Sequence, residues 1–207
     1  MDNKKVKGYA YGVIASVSYG LNPLFALPLY ASGIRVDSVL FYRYVFALLF
    51  LAVMMKMSGQ SFALKRNEIL PVAVMGLLFS FSSLFLFQSF NYMDAGIAST
   101  ILFMYPVLVA VIMAVFFKER LSVVKIASIA TAFVGISMLY KGEGGATLSM
   151  TGVCLVLMSS LTYALYIVGV NRSSLKEMPG LKLTFYAILF GSLVYIVRLR
   201  GGMDLQW

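Results

Sequence analysis

Ser16-Val17-Ser18-Tyr19-Gly20-Leu21-Asn22 sits inside a run from Gly8 to Gly33 that carries no charged residue. Lys4, Lys5 and Lys7 precede the run, as basic residues precede a secretory signal. The run is nonetheless far longer than the ~7–15 apolar residues of a signal core. A helix rising 1.5 Å per residue needs about 20 such residues to cross ~30 Å of hydrocarbon. The stretch therefore reads as a first membrane-spanning helix that stays in the mature chain.

The rest of the chain repeats this pattern. Apolar blocks predict seven spans, at Gly8–Tyr30, Val36–Met55, Ile69–Asn91, Ala95–Phe117, Leu121–Tyr140, Leu148–Val170 and Leu181–Val197. Of the 207 residues, 61% are hydrophobic and 12% charged, against about 45–50% and 25% in a soluble domain. The predicted fold class is an all-α integral membrane protein, a polytopic helix bundle. Connections are short, so neighbouring helices should pack side by side, and no linker is long enough to hold a soluble domain.

The net charge of +9 does not point to nucleic acid, because the basic residues fall in small clusters between spans and leave no basic face. They set topology instead. With the N-terminus in the cytoplasm, the inner segments hold Lys4, Lys5, Lys7, Lys56, Lys65, Arg66, Lys118, Arg120, Lys125, Arg172, Lys176 and Lys182. The outer segments hold only Arg35, Lys141, Arg198 and Arg200, of which the last two are the main exception. The chain has no histidine and a single cysteine, Cys154, inside an apolar block. No cofactor or metal is expected, and the cysteine is read as a small buried hydrophobe.

A shift of 144 residues lays Ser16–Asn22 on Ser160–Tyr166, with three of the seven positions identical: Ser16 on Ser160, Tyr19 on Tyr163 and Leu21 on Leu165. Without a gap, Phe41-Tyr42 falls on Phe185-Tyr186, Phe46 on Phe190, Leu49 on Leu193 and Val53 on Val197. Helices one and two thus recur as helices six and seven. A five-helix unit is odd, so its second copy enters from the opposite side, which is a common transporter plan. The expected units are 8–140 and an incomplete second copy at 144–207. Two such units need ten helices, so a fragment ending at Trp207 is expected.

Candidate functional residues follow from what does not suit lipid. Pro23 deprives the carbonyl of Tyr19 of its helical partner, and Pro28 does the same to Leu24. Freed carbonyls in a bilayer need protein or cavity water. Tyr19 and Asn22 therefore become candidates for a pathway-lining break, against a simple packing kink. Pro106, next to Tyr105, frees Leu102 and makes a second break. Arg43 lies within span two, roughly 10 Å below the outer boundary. A charge at that depth normally faces protein or water. It can hold an anionic solute group, pair with Asp94, or snorkel outward. Gln88, Thr100, Tyr163 and Tyr166 are further candidates for solute contact, as are Asn91 and Tyr92, although aromatic groups near span ends also serve as interfacial anchors.

Gly12, Ser16 and Gly20, and likewise Ala127, Thr131 and Gly135, are spaced for tight helix packing. Glu119 and Arg120 close span four, with Ser122 placed to cap the next helix. They are read as an inner hinge or gate. Every carboxylate lies at a span end or outside the spans and none lies mid-membrane, so no proton relay is visible.

The chain resembles the EamA-type transporters of the drug/metabolite transporter superfamily. The resemblance rests on Gly12 and Ser18-Tyr19-Gly20, on Phe41-Tyr42-Arg43-Tyr44, and on Ala98-Ser99 through Tyr105-Pro106. Lys118-Glu119-Arg120-Leu121, Gly135 and Tyr163-Ala164-Leu165-Tyr166 complete it. It implies a ten-helix inverted-repeat exporter of small metabolites, often amino acids, with both termini cytoplasmic and a central cavity. Arg43, Tyr105, Pro106 and Glu119 match the family pattern best. The expected location is a bacterial inner membrane, and the expected partners are a small-molecule solute and the lipid bilayer. Three other readings remain: an incomplete, non-transporting fragment, a seven-helix receptor or light-driven protein, and an intramembrane enzyme. A retinal-type lysine is missing from within span seven, where Lys182 stands only at the start. Convergent acid, base and nucleophile groups are missing from mid-membrane.

Overall fold

A computed structural model describes residues 3–119, 127, 130–131, 134 and 149–206. All regular structure among them is helical. The helices are α1 (Asn3–Gly20), α2 (Asn22–Ala31), α3 (Val36–Met57), α4 (Arg66–Ser89), α5 (Ala95–Leu102), α6 (Tyr105–Phe117), α7 (Met150–Arg172) and α8 (Gly180–Arg198). α1 with α2, and α5 with α6, each make one interrupted span. Six helical stretches among the described residues are long and apolar enough to cross a membrane. The expected span Leu121–Tyr140 lies outside the described residues except at Ala127, Ala130, Thr131 and Val134. Arg120, Ser122, Gly135 and Trp207 lie outside them too.

The bundle is organised around α4, which packs chiefly against α7 and α8, while α3 lies against α8 and α5 and α6 lie against α7. Close approach of α4 and α8 depends on small residues four apart on each helix. A Cβ added at Gly76 would stand 2.5 Å from the carbonyl oxygen of Ala187. One added at Gly191 would stand 2.0 Å from Ser80 Oγ and 2.7 Å from the carbonyl oxygen of Gly76. Without a hydrophobic driving force between helices, such backbone proximity is a main source of association in lipid.

The two glycines of the stripe predicted on the first span do not play this part. A Cβ at Gly12 or Gly20 would meet nothing within 4 Å. Ala127 and Thr131 are exposed, and the Thr131 hydroxyl donates to its own helix at the carbonyl of Ala127, 2.9 Å away. Spacing marks a face able to approach another helix but does not say which faces meet. Cys154 is also corrected: it is exposed on α7 rather than buried.

Polar seams hold the core. Ser82 Oγ donates to the Ser159 carbonyl at 3.0 Å, and Ser159 Oγ donates to the Ser82 carbonyl at 2.7 Å, so α4 and α7 are cross-linked twice. Ser80 Oγ donates to Tyr44 Oη at 3.0 Å, and Tyr195 Oη donates to the Ser80 carbonyl at 2.9 Å. The Tyr44 and Tyr195 rings meet edge to face at 4.8 Å. These groups satisfy one another where water is not available.

The charged ends segregate as alternating spans require. At one end, Arg198 grips the buried Asp37 with Nε–Oδ1 2.7 Å and Nη2–Oδ2 3.2 Å. Arg200 lies 3.7 Å from Asp204. Two basic residues that break the positive-inside count are thus each paired with a carboxylate. The chain after α8 folds back over α3, with Gln206 N donating to Ser38 Oγ at 3.1 Å and Arg35 N donating to Gln206 Oε1 at 2.6 Å. At the opposite end, Lys182 and Tyr186 donate to the carbonyls of Ala63 and Phe62.

Candidate functional site

The two interrupted spans line a shared cavity. In the first, the chain passes from α1 to α2 through Leu21, with Pro23 in the opening turn of α2 and Pro28 inside it. In the second, Asp94 caps α5, its Oδ1 accepting from Gly96 N at 2.8 Å and Ile97 N at 3.2 Å. A tight turn through Phe103 and Met104 follows, and Pro106 opens α6. The carbonyl of Leu102, which Pro106 leaves without a helical donor, accepts from Ser160 Oγ of α7 at 3.1 Å. The break therefore has a partner on the neighbouring helix, as lipid demands.

The cavity measures about 670 Å³ and is lined by Ala15, Tyr19, Pro23, Leu24 and Leu27 on one side and by Asp94, Ser99, Phe103 and Tyr105 on the other, with Tyr163 of α7. That size falls in the ordinary range for small-molecule pockets, ~300–1,000 Å³. Tyr19 and Tyr163 also line a smaller recess of about 30 Å³ together with Asn22, Arg43, Ser82, Ser83 and Phe87. The Arg43 guanidinium carbon lies 5.0 Å from the centroid of the Phe87 ring, within reach of a cation–π contact.

The tertiary structure thus gathers Tyr19, Asn22, Pro23, Arg43, Tyr105 and Tyr163 around two neighbouring spaces that share Tyr19 and Tyr163 as walls. Tyr105 meets Tyr163 edge to face at 4.8 Å. Tyr166 stands behind this wall, stacked on Tyr163 at 5.9 Å and tilted against Phe79 at 5.4 Å. It lines neither space. Thr100 spends its hydroxyl on the carbonyl of Gly96, 2.9 Å away. Gln88 is half-buried near the end of α4, and Asn91 and Tyr92 follow it as exposed residues. None of the four lines the cavity or the recess, and neither do Pro28 and Pro106.

The alternative in which Arg43 pairs with Asp94 is not realised, because Asp94 faces the amides of α5 instead. Among the described residues no carboxylate comes within ion-pair distance of Arg43. Glu119 lines neither space. It approaches Arg172 at 3.9 Å, and Arg172 lies over Phe117 at 4.5 Å. Lys118, just before it, ends α6 in the left-handed region at φ 54°.

Two features escaped sequence reasoning: the serine–tyrosine seam and the Asp37–Arg198 pair. Ser80, Ser82, Ser83, Ser159 and Ser160 stand out as small hydroxyls inside apolar blocks, which is the signal that could have found the seam. The pair joins residues 161 apart in sequence and has no local signature.

Residues 6–141 match the model of the EamA-like transporter family. Among curated proteins, the chain is 29% identical over 131 residues to the uncharacterized transporter YxxF of Bacillus subtilis (strain 168), covering 61% of this chain and 42% of that protein. It is 28% identical over 102 residues to an uncharacterized transporter of Archaeoglobus fulgidus, covering 49% and 36%. It is 27% identical over 131 residues to the uncharacterized transporter YvbV of Bacillus subtilis (strain 168), covering 60% and 43%. Matched in this way, the chain spans less than half the length of each relative. No solved structure matches it.

Proposed function

We propose, from the premise that this chain belongs to the EamA-like transporter family, that it forms part of a carrier moving a small metabolite across a membrane by alternating access. The observation that carries this reading is the cavity between two interrupted spans. Transporter sites are typically built where broken helices face each other near the repeat interface. Tyr19 and Tyr163, equivalent under the 144-residue shift, both line the cavity and the recess beside it. α8 begins at Gly180, which is the image of Val36 at the start of α3.

Both facts favour two inverted units, one over 8–140 and the next opening at 144–207. In this reading the N-terminus is cytoplasmic, the membrane is a bacterial inner membrane, and the solute leaves the cell. Amino acids are the first class to try. Tyr19, Asn22, Arg43, Tyr105 and Tyr163 contact the solute. Tyr166 supports the wall by stacking on Tyr163. Glu119 and Arg120 act as an inner hinge. The five spans that begin with α1 and end beyond α6 supply the first unit.

Exchange of labelled small metabolites in vesicles carrying the purified gene product tests the carrier reading, and absence of any protein-dependent flux would reject it. Arg43→Ala is expected to lower flux about tenfold or more, the scale of one lost charge-assisted contact. Unchanged flux would remove Arg43 from the solute site.

A further inference from the structure

We infer that the cavity takes a carboxylate anion with an apolar, ring-sized body, and favours it over the amino acid of the same shape. This rests on the carrier reading but turns its solute from amino acids to simple carboxylates. The carboxylate end is set by the recess. Arg43, Asn22, Tyr19 and Tyr163 line it, and these side chains carry a planar fork of N–H donors, an amide N–H and two hydroxyls. A guanidinium matches a carboxylate in geometry as well as charge. Ser82 is not part of this set, because its hydroxyl is held by Ser159.

The body is set by the larger cavity that Tyr19 and Tyr163 share with the recess. Its walls are Leu24 and Leu27 on α2 and the rings of Phe103, Tyr105 and Tyr163 opposite. Phe103 and Tyr105 are 6.4 Å apart, and Tyr105 and Tyr163 are 4.8 Å apart. Offset and edge-on surfaces of this kind receive another ring favourably.

The preference against an amino acid follows from where its ammonium would go. In an α-amino acid the ammonium sits on the carbon next to the carboxylate, so it enters the recess with it. No described residue lining the recess is a carboxylate. Asp94 lines the larger cavity, not the recess, and its Oδ1 is engaged by two amides. The ammonium would be stripped of water beside the Arg43 charge, which is unfavourable on both counts.

Three matched probes test this on the purified full chain in lipid nanodiscs: phenylpropanoate, phenylalanine and phenethylamine, which are anion, zwitterion and cation on one ring. Labelled phenylpropanoate is expected to bind saturably. Phenylalanine should compete about tenfold more weakly or worse, and phenethylamine not at all. Arg43→Gln should weaken phenylpropanoate binding about tenfold or more, while Arg43→Lys, which keeps the charge, recovers part of the loss. The inference is overturned by equal or stronger competition from phenylalanine, by competition from phenethylamine, by equal loss in both Arg43 variants, by wild-type affinity in Arg43→Gln, or by absence of saturable binding. Vesicles that exchange amino acids through a protein that ignores phenylpropanoate would overturn this inference alone. Vesicles that move no solute would reject the carrier reading, whatever the binding shows.

Discussion

The first span and α7 begin from related sequence and end as different structures. Ser16–Asn22 and Ser160–Tyr166 align without a gap, but Pro23 and Pro28 stand where α7 has Ile167 and Arg172. α7 runs unbroken from Met150 to Arg172, while the first span is interrupted at Leu21. Only 6% of the apolar window of the first span is buried inside the bundle, against 28% for α7. Around Gly20 there is open space, whereas its counterpart Ala164 is fully buried. What the two keep in common is Tyr19 and Tyr163, which face the same cavity. One register therefore supplies a loosely held wall on one side and a packed support on the other. Proline decides the first. The hydroxyls of Ser159 and Ser160, bonded to α4 and to the end of α5, decide the second.

The most damaging way to erase this difference is to copy the break into α7. Ile167→Pro removes the N–H that reaches back to the carbonyl of Tyr163 and drives a ring against it, at a cost of about 3 kcal/mol or more. The expected readout is a large fall in the midpoint of an unfolding titration in mixed micelles. The reverse change, Pro23→Ile, is expected to leave stability within about 0.5 kcal/mol while reducing solute flux. An Ile167→Pro protein as stable as wild type would mean that α7 is not the rigid partner described here.

A smaller effect is expected where the two regions differ in contact. Gly191→Val pushes side-chain atoms into Ser80 and the Gly76 carbonyl, and overpacking of this kind costs about 1–3 kcal/mol. Gly20→Val adds the same atoms to open space and should change the midpoint little. Equal effects at the two glycines would contradict the packing of α4 on α8. A smaller loss than at Gly191 is expected from Ser160→Ala, which strips the Leu102 carbonyl of its donor. A loss of about 1 kcal/mol is expected, measured by the same titration and reduced in Ser160→Thr. No loss would show that the carbonyl finds another donor.

Much of the fold is legible in the sequence because the bilayer imposes a severe rule. Spans must be long, apolar and helical, so six of the seven predicted spans appear at the expected positions, and the remaining one, Leu121–Tyr140, lies almost wholly outside the described residues. The breaks at Pro23 and Pro106 are legible for the same reason, since a missing N–H has a fixed local consequence. The candidate site is legible only in part. Tyr19, Asn22, Arg43, Tyr105 and Tyr163 each stand out in the sequence as groups that do not suit lipid and they line the cavity or the recess, whereas Gln88, Thr100 and Tyr166, which stand out on the same grounds, line neither. A polar group in an apolar span must be satisfied, but its sequence does not say by what. Thr100 turns to its own helix, and Arg43 lies on Phe87 rather than against Asp94.

The sequence by itself determined the multi-pass helical character, the points where helices break, and the segregation of charge between the two ends. Each of these is a local consequence of hydration, of a missing backbone donor, or of the cost of burying charge. Only the tertiary structure decided which faces turn inward. Lipid is as apolar as leucine, so hydropathy cannot separate an exposed Cys154 from a buried Ala164. Nor can it tell the open Gly20 from the closely packed Gly191. That choice came from hydrogen bonds and close backbone contact between helices far apart in the chain, and it is what made a cavity out of two interrupted spans.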